Sequence, residues 1–147
     1  MIERNDMEKG YVGETYVMAK LSRDFNIKSA MVPQDFFSYD LITNNNKRVE
    51  VKTAILRDFP RTHPSGTYHS DAWEFRRSLK QLSEGSCDFV VCVCFKSKDF
   101  SEEPRCFIIP SKELHSRSEV FKITANPKKG IRKWWEFEDK WKSIATR

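Results

Sequence analysis

Residues 39–54 read YDLITNNNKRVEVKTA. Two runs rich in apolar and β-branched residues, 39–43 and 48–54, flank three consecutive asparagines, a residue type that favours tight turns. The pattern predicts a β-hairpin that turns at Asn44, Asn45 and Asn46. Because side chains alternate between the two faces of a strand, the register of this hairpin determines which residues meet.

A turn centred on Asn45 places Asp40 opposite Glu50. One face of the hairpin is then apolar and is expected in the core; it carries Tyr39, Leu41, Val49 and Val51. The other face is polar; it carries Ser38, Asp40, Glu50 and Lys52.

The polar face predicts a metal site. Two carboxylates directly across a strand pair repel, at a local cost of roughly 0.2–1 kcal/mol. A cation between Asp40 and Glu50 would remove that cost, and Mg²⁺ often takes one or two carboxylates together with phosphate oxygens. The ammonium of Lys52 on the same face could hold an attacking water or neutralise charge on a phosphate. The alternative is a solvent-exposed face, on which acidic and basic residues are common.

A carboxylate further upstream favours the catalytic interpretation. Residues from about 7 to 25 predict a helix, and Glu14 continues its apolar stripe toward the sheet. The stripe goes on through Met18, Leu21 and Phe25. A carboxylate in that place is costly unless it is paired or bound to metal. The alternative is an acid favoured by the helix dipole, but that effect fades within the first turn. Gly13 would let backbone or substrate approach closely.

The remaining elements follow from local patterns. Strands are predicted at 28–32, 88–95 and 105–109. The stretch 57–70, which holds two prolines and a glycine, is predicted to be a long loop that carries substrate choice. Asp71 and Glu74 resemble a capping box that opens a helix ending at Gly85. The tail is expected to alternate strand-like pieces with a helix around 136–144. This order predicts an α/β fold, a mixed sheet flanked by helices.

The length and charge of the chain indicate how many domains it has and what kind of partner it binds. The 147 residues suffice for one domain, so we expect a single domain over 1–147, with a core at about 8–110 and an extension over 111–147. A net charge of +5 and a pI of about 9.0 favour an anionic partner without proving nucleic-acid binding. Neither a membrane span nor a signal-peptide core is evident, so a cytoplasmic location without membrane partners is expected.

The cysteines are expected to be reduced, buried thiols. They are Cys87, Cys92, Cys94 and Cys106. They form no Cys-x-x-Cys pair, so their spacing is poor both for zinc and for a nucleophilic Cys–His site.

Three short motifs together resemble the PD-(D/E)XK nuclease superfamily. They are Gly13-Glu14 in the first helix, Tyr39-Asp40-Leu41 in one strand and Glu50-Val51-Lys52 in the next. Tyr39 stands where the motif has a loosely kept proline. The resemblance covers about residues 8–110, including the apolar segments 89–93 and 107–110, and predicts an α-β-β-β-α-β, restriction-endonuclease-like core. It is nearest to small group I intron-type endonucleases, with archaeal Holliday-junction resolvases and restriction enzymes as neighbours.

The resemblance implies Mg²⁺-dependent hydrolysis of phosphodiester bonds in DNA, with Mn²⁺ able to substitute. It implies that Asp40, Glu50 and the Val51 carbonyl ligate the metal, and that Lys52 orients and activates the water. Glu14 would hold a metal-bound water or a second ion. The choice between one and two metals stays open. The partner would be double-stranded DNA or a DNA junction, and cutting both strands would need a homodimer or higher homo-oligomer.

Candidate DNA contacts are basic residues near the predicted loop and second helix. Arg57, Arg61 and His63 lie in the loop; Arg76, Arg77 and Lys80 lie on one side of the helix expected from Asp71. As phosphate contacts they would steepen the salt dependence of binding. The alternative is a solvated helix face. The basic stretch 128–135 could also bind DNA, but the tail tryptophans are better explained by packing on the core or on a second subunit.

Two other functions stay open. A catalytically silent DNA-binding module would keep the fold without activity, although the complete set of four candidate residues argues against it. A structure-specific resolvase would cut four-way junctions regardless of sequence, whereas an intron-type or restriction-type enzyme would cut one site. Action on RNA or single strands has no distinguishing feature in this sequence.

Overall fold

The computed structural model describes residues 4–33, 38–77, 86–114, 120–126 and 133–146, apart from the side chains at 4–7 and 61. A long helix comes first and eight strands follow. They are α1 (Arg4–Phe25), β1 (Ser29–Met31), β2 (Leu41–Thr43), β3 (Arg48–Ile55), β4 (Arg57–His63), β5 (Gly66–Arg76), β6 (Phe89–Phe95), β7 (Arg105–Pro110) and β8 (Val120–Thr124). Two 3₁₀ helices (Ser111–Glu113 and Lys133–Phe137) and a short α2 (Lys142–Ala145) complete the described elements.

The strands form two sheets. The first has the order β1-β2-β3-β6-β7 and is mixed, because β3 and β6 run parallel while the other neighbours are antiparallel. The second is antiparallel, in the order β4-β5-β8. One apolar core lies between α1 and the first sheet, and another lies between the two sheets. The indole N–H of Trp73 in β5 donates to the Phe95 carbonyl (2.9 Å), which ties the second sheet to the first.

The first helix agrees with its prediction over 7–25. Its buried side includes Val17 and Leu21, both fully inaccessible to solvent. It ends at Phe25; Asn26, which follows, has a left-handed backbone (φ 53°), and the N–H of Ile27 donates to the carbonyl of Leu21 at 3.0 Å. Asparagine is one of the residues that adopt this left-handed conformation after the end of a helix.

The hairpin also follows its predicted register. Leu41 pairs with Val49 and Ile42 with Arg48 in an antiparallel ladder, and the chain turns at the asparagines. Leu41, Val49 and Val51 are buried against α1, as predicted. Tyr39 was expected with them but packs against the other core instead, because β2 begins only at Leu41 and the chain is not extended before it.

The prediction of a long loop over 57–70 is wrong. These residues form β4 and the first part of β5, which pair from Arg57 with Ala72 to His63 with Gly66. Pro60 is compatible with β4 because that strand lies at the edge of its sheet, the place to which proline is largely confined within sheets.

The helix predicted from Asp71 is wrong over 71–76, which belongs to β5; residues 78–85 lie outside the described residues. Trp73 and Phe75 are buried while Glu74 and Arg76 are more exposed, which is the period of a strand. The second sheet therefore covers the face of the first sheet that a helix was predicted to cover.

The burial of two tail tryptophans and of the cysteines agrees with prediction, whereas the helix predicted in the tail does not. Trp134 and Trp141 are buried in the two cores, and all four cysteines are buried free thiols. The helix expected around 136–144 is in fact a 3₁₀ helix followed by the short α2. Among the described residues, no helix has the length and apolar character needed to cross a membrane.

Gly13 is where α1 lies directly on β3. A Cβ at this position would overlap Oγ1 of Thr53, whereas a Cβ at Gly10 one turn earlier would meet nothing within 4 Å. We expect Gly13→Ala to lower the free energy of unfolding by about 1–3 kcal/mol through overpacking. Gly10→Ala is the control and should raise it by about 0.5–1 kcal/mol, since alanine favours helix.

Urea unfolding of these variants tests the close approach. Adding Thr53→Ala to Gly13→Ala should recover part of the loss, because the overlapping hydroxyl is removed. Equal stability of the two glycine variants would contradict the close packing of α1 on β3.

Candidate active site

Asp40 is fixed at the edge of β3 just before β2 begins. Its backbone N–H donates to the Val49 carbonyl (2.9 Å), and its Oδ2 accepts the Val51 N–H (2.7 Å). The N–H and C=O of a strand residue point to the same side of the strand. The Val51 carbonyl therefore lies at the same edge as the Asp40 carboxylate, as the predicted ligand set requires.

Glu50 is completely buried, and so is the side chain of Arg77 that binds it. The Arg77 guanidinium donates through Nε to Oε2 (3.1 Å) and through Nη2 to Oε1 (3.0 Å). This two-pronged geometry is the strongest form of arginine–carboxylate contact. It joins β3 of the first sheet to the residue that follows β5 of the second.

Lys52 brings a second positive charge. Its Nζ lies 4.0 Å from Oε2 of Glu50, and 23% of its side chain is exposed. Lys52 therefore lies between the buried carboxylate and the solvent. The predicted juxtaposition of Asp40, Glu50 and Lys52 is present in the structure.

Burial governs the charges of this site. Desolvation raises the pKa of Asp40, although the Val51 N–H and the Lys52 charge act in the opposite direction. Desolvation also raises the pKa of Glu50, and the nearby charge of Asp40 raises it further. The positive charges of Arg77 and Lys52 act in the opposite direction and lower it. The two carboxylates thus repel each other in a poorly solvated place, which a bound cation would relieve.

The donor set fits a hard divalent cation. Asp40 and Glu50 supply carboxylate oxygens and Val51 a carbonyl, the ligand types that Mg²⁺ prefers. An ionised carboxylate accepts at about four lone-pair sites, so the two Arg77 contacts leave acceptor capacity on Glu50.

Glu14 does not join this pair in a cluster. It is half-buried on α1, next to the glycine that packs on Thr53 of β3. Within the described part of the chain, no three Asp, Glu, His or Cys side chains converge closely enough to hold a metal ion. The structure therefore does not unite Glu14 with Asp40 and Glu50 in one three-carboxylate site.

Arg77 is not on an exposed helix face, so its prediction as a DNA contact is wrong. It follows the last residue of β5 and points inward, whereas Arg76 before it points outward with 77% of its side chain exposed. Consecutive residues of an extended chain point to opposite sides, which explains why Arg76 and Arg77 differ so strongly in exposure.

The other predicted DNA contacts are distributed over the second sheet. Arg57 in β4 and Arg76 in β5 are both exposed, and His63 lies at the far end of β4, where it contacts Ser65 and Tyr68. Arg61 is in β4 opposite Tyr68, with its side chain outside what the structure describes. Lys80 lies outside the described residues altogether.

The second sheet groups two of these predicted contacts, Arg57 and Arg76, with Lys122, a grouping that the sequence did not predict. Arg57, Arg76 and Lys122 all lie within 4 Å of Glu74, and the charges of Arg57 and Lys122 lie over the ring of Phe59. Register explains the grouping, because Glu74 pairs with Lys122 of β8 and the even-numbered residues of β5 share one face. We call this surface the basic face: Arg57, Phe59, Glu74, Arg76 and Lys122. The alternation of apolar and charged residues over 72–76 was the signal that could have revealed it.

Comparison with known proteins shows a fold relationship. No protein-family model and no curated protein matches the sequence. A solved structure of the bacterial homing endonuclease I-Ssp6803I is similar, with a TM-score of 0.61 over 95% of this chain and 92% of that one, at 16% identity. The predicted α/β fold with a mixed sheet is thereby confirmed. At this identity the similarity establishes a shared fold.

Proposed function

We propose that this protein is a metal-dependent DNA endonuclease whose active site is formed by Asp40, Glu50 and Lys52. One observation carries the proposal: at β3, the fully buried carboxylate of Glu50, the half-buried carboxylate of Asp40 and the partly exposed ammonium of Lys52 come together, next to a backbone carbonyl at the same edge. A fold shared with a protein described as a homing endonuclease supports it. So does the order of the PD-(D/E)XK motifs.

Asp40, Glu50 and the Val51 carbonyl would hold Mg²⁺, with Mn²⁺ as a substitute. When bound, such an ion polarises a phosphoryl oxygen and stabilises the charge that develops on it. The Val51 N–H donates to the Asp40 carboxylate (2.7 Å), which holds this side chain at the edge of β3. Burial keeps water away from Glu50, which strengthens its electrostatic interactions.

Lys52 would act on the reacting phosphate. Its ammonium is placed by β3 beside Glu50 and reaches solvent, so it can orient the attacking water and neutralise charge on the phosphate oxygens. Glu14, on α1, would hold a metal-bound water or a second ion, as the resemblance implies. A single such site cuts one strand, so a homodimer or higher homo-oligomer would cut both.

The basic face would contact the DNA backbone. It carries three cations against one carboxylate, and a two-stranded ribbon such as β4–β5 fits the major groove of B-DNA. Tyr68 near the end of this ribbon is more than half exposed. We assign to the β4–β5 ribbon the choice of substrate that the sequence assigned to a loop.

Neutralising the basic face should weaken DNA binding in a salt-dependent manner. For Arg76→Gln and for Lys122→Gln, we expect a lower affinity for DNA. The slope of the logarithm of the binding constant against the logarithm of the salt concentration should decrease in magnitude by about 1 for each phosphate interaction that the substitution removes. Lys142→Gln in α2 removes an equal charge from an exposed residue elsewhere and is the control. Fluorescence anisotropy with a labelled duplex between about 50 and 200 mM salt gives the measurement. An unchanged slope in both variants would remove this surface from the DNA interface.

The activity is tested by incubating the protein with supercoiled plasmid, linear duplex and a four-way junction, with Mg²⁺ or with EDTA. Metal-dependent cutting of any of them supports the endonuclease. Preference for the junction would indicate a resolvase, and cutting at one site an intron-type or restriction-type enzyme. DNA binding without cutting of these substrates or of a randomised plasmid library would favour the silent binding module.

A further inference from the structure

We infer that Arg77 is a positioning residue of the active site, which sets the orientation of the metal-binding carboxylate of Glu50; the inference rests on the proposed function. The guanidinium contacts both Glu50 oxygens, at 3.1 and 3.0 Å, and both side chains are fully inaccessible to solvent. A buried carboxylate held by two parallel N–H···O bonds has one orientation available, because a planar fork fixes its plane as well as its distance.

The burial of the pair argues against a merely adventitious contact. Ion pairs that bring little to stability are common on protein surfaces, where side-chain entropy and solvent screening cancel the attraction. A fully buried pair carries a large desolvation cost and is often no better for stability than apolar residues of the same volume. A second use of Arg77, beyond stability, is therefore the better explanation of the pair.

The position of Arg77 in the chain also links the second sheet to the proposed metal ligand. It follows β5 directly, and Arg76 before it belongs to the basic face. The guanidinium thus connects the end of the proposed DNA-binding ribbon to the carboxylate of β3. Groups that hold a metal ligand by hydrogen bonds commonly matter about 10–100-fold for metal affinity or activity.

A charge-conserving variant separates positioning from simple charge compensation. Arg77→Lys keeps the cation but removes the planar fork, and Arg77→Gln keeps only one amide donor group. Arg48→Lys is the matched control, because Arg48, in the same strand as Glu50, makes a similar fork to Asp88, with Nε–Oδ2 at 3.4 Å and Nη2–Oδ1 at 3.3 Å. Asp88 lies just before β6 and is not part of the proposed site.

The experiment measures Mn²⁺ binding to the full-length protein by electron paramagnetic resonance. It also measures the Mn²⁺ concentration that gives half-maximal plasmid cutting. We expect Arg77→Lys and Arg77→Gln to weaken both by about 10-fold or more, with DNA affinity in EDTA unchanged and Arg48→Lys like wild type. Thermal unfolding identifies the variants that remain folded; one folded Arg77 variant is sufficient for the comparison.

Three outcomes are distinguishable. A shift confined to the Arg77 variants supports positioning. Folded Arg77 variants that match wild type in both measurements, or an equal shift in Arg48→Lys, would overturn the inference and leave the proposed function intact. A wild-type protein that neither binds Mn²⁺ nor cuts DNA would overturn the proposed function, and the inference with it.

Discussion

Asp40→Asn is expected to reduce Mg²⁺-dependent DNA cutting by at least about 10²–10³-fold, the usual effect of removing one electrostatic stabiliser of a transition state. The asparagine keeps an oxygen that can accept the Val51 N–H, so the local backbone should persist while a metal ligand loses its charge. Lys52→Ala should cause a loss of similar size, because it removes the ammonium beside Glu50. Rates of plasmid nicking under single-turnover conditions provide the comparison.

The control for Asp40→Asn is Asp88→Asn. Asp88 also accepts a backbone N–H of β3, that of Arg48 at 2.8 Å, but stands outside the proposed site. This substitution should cost stability and leave the cutting rate of the folded protein near that of wild type. Wild-type rates in Asp40→Asn, or equal losses in both Asp→Asn variants, would contradict the assignment of Asp40 as a metal ligand.

Arg77→Met is expected to lower the free energy of unfolding by roughly 3–5 kcal/mol, because Glu50 would remain buried without its cation. Glu50 would then either stay charged in a poorly solvated place or take up a proton, and protonating a carboxylate at neutral pH also costs free energy. The double variant Glu50→Leu with Arg77→Met should recover much of this loss, since an apolar pair of similar volume avoids the desolvation of two charges.

Urea unfolding with Lys96→Met as the control measures this effect. Lys96 pairs with Glu102 at 3.7 Å, but the two side chains are 64% and 60% exposed, and such a pair contributes about 0–1 kcal/mol. A loss in Arg77→Met no larger than that in Lys96→Met would contradict the burial of the Arg77–Glu50 pair.

The hairpin could be predicted from the sequence because its determinants are local. Three asparagines favour the turn, and the period-two pattern of Leu41, Val49 and Val51 then sets the register. That register also brings the candidate residues of β3 and the segment before β2 to one place. The helix α1 likewise depends on neighbours in sequence, and it ends at its predicted residue, Phe25.

The second sheet could not be predicted in the same way because its determinants are distant in sequence. β5 pairs with β8 about fifty residues later (Trp73 with Ile123), and no local pattern indicates that partner. Asp71 and Glu74 have the spacing of a capping box, which predicts a helix, whereas the alternation of residues 72–76 indicates a strand. The resulting helix prediction placed Arg77 on a solvent-exposed surface, so its contact with Glu50 was not predicted.

Manganese anomalous scattering from crystals of the protein soaked in Mn²⁺ would locate the metal site without relying on activity. We predict a peak bound by carboxylate oxygens of Asp40 and Glu50, with the Val51 carbonyl beside it, at about 2.0–2.3 Å (Mg²⁺-type distances with allowance for a larger ion). The peak should be absent from Asp40→Asn crystals. Ions bound elsewhere, with this pair empty at saturating Mn²⁺ in a protein that cuts DNA, would contradict the assignment.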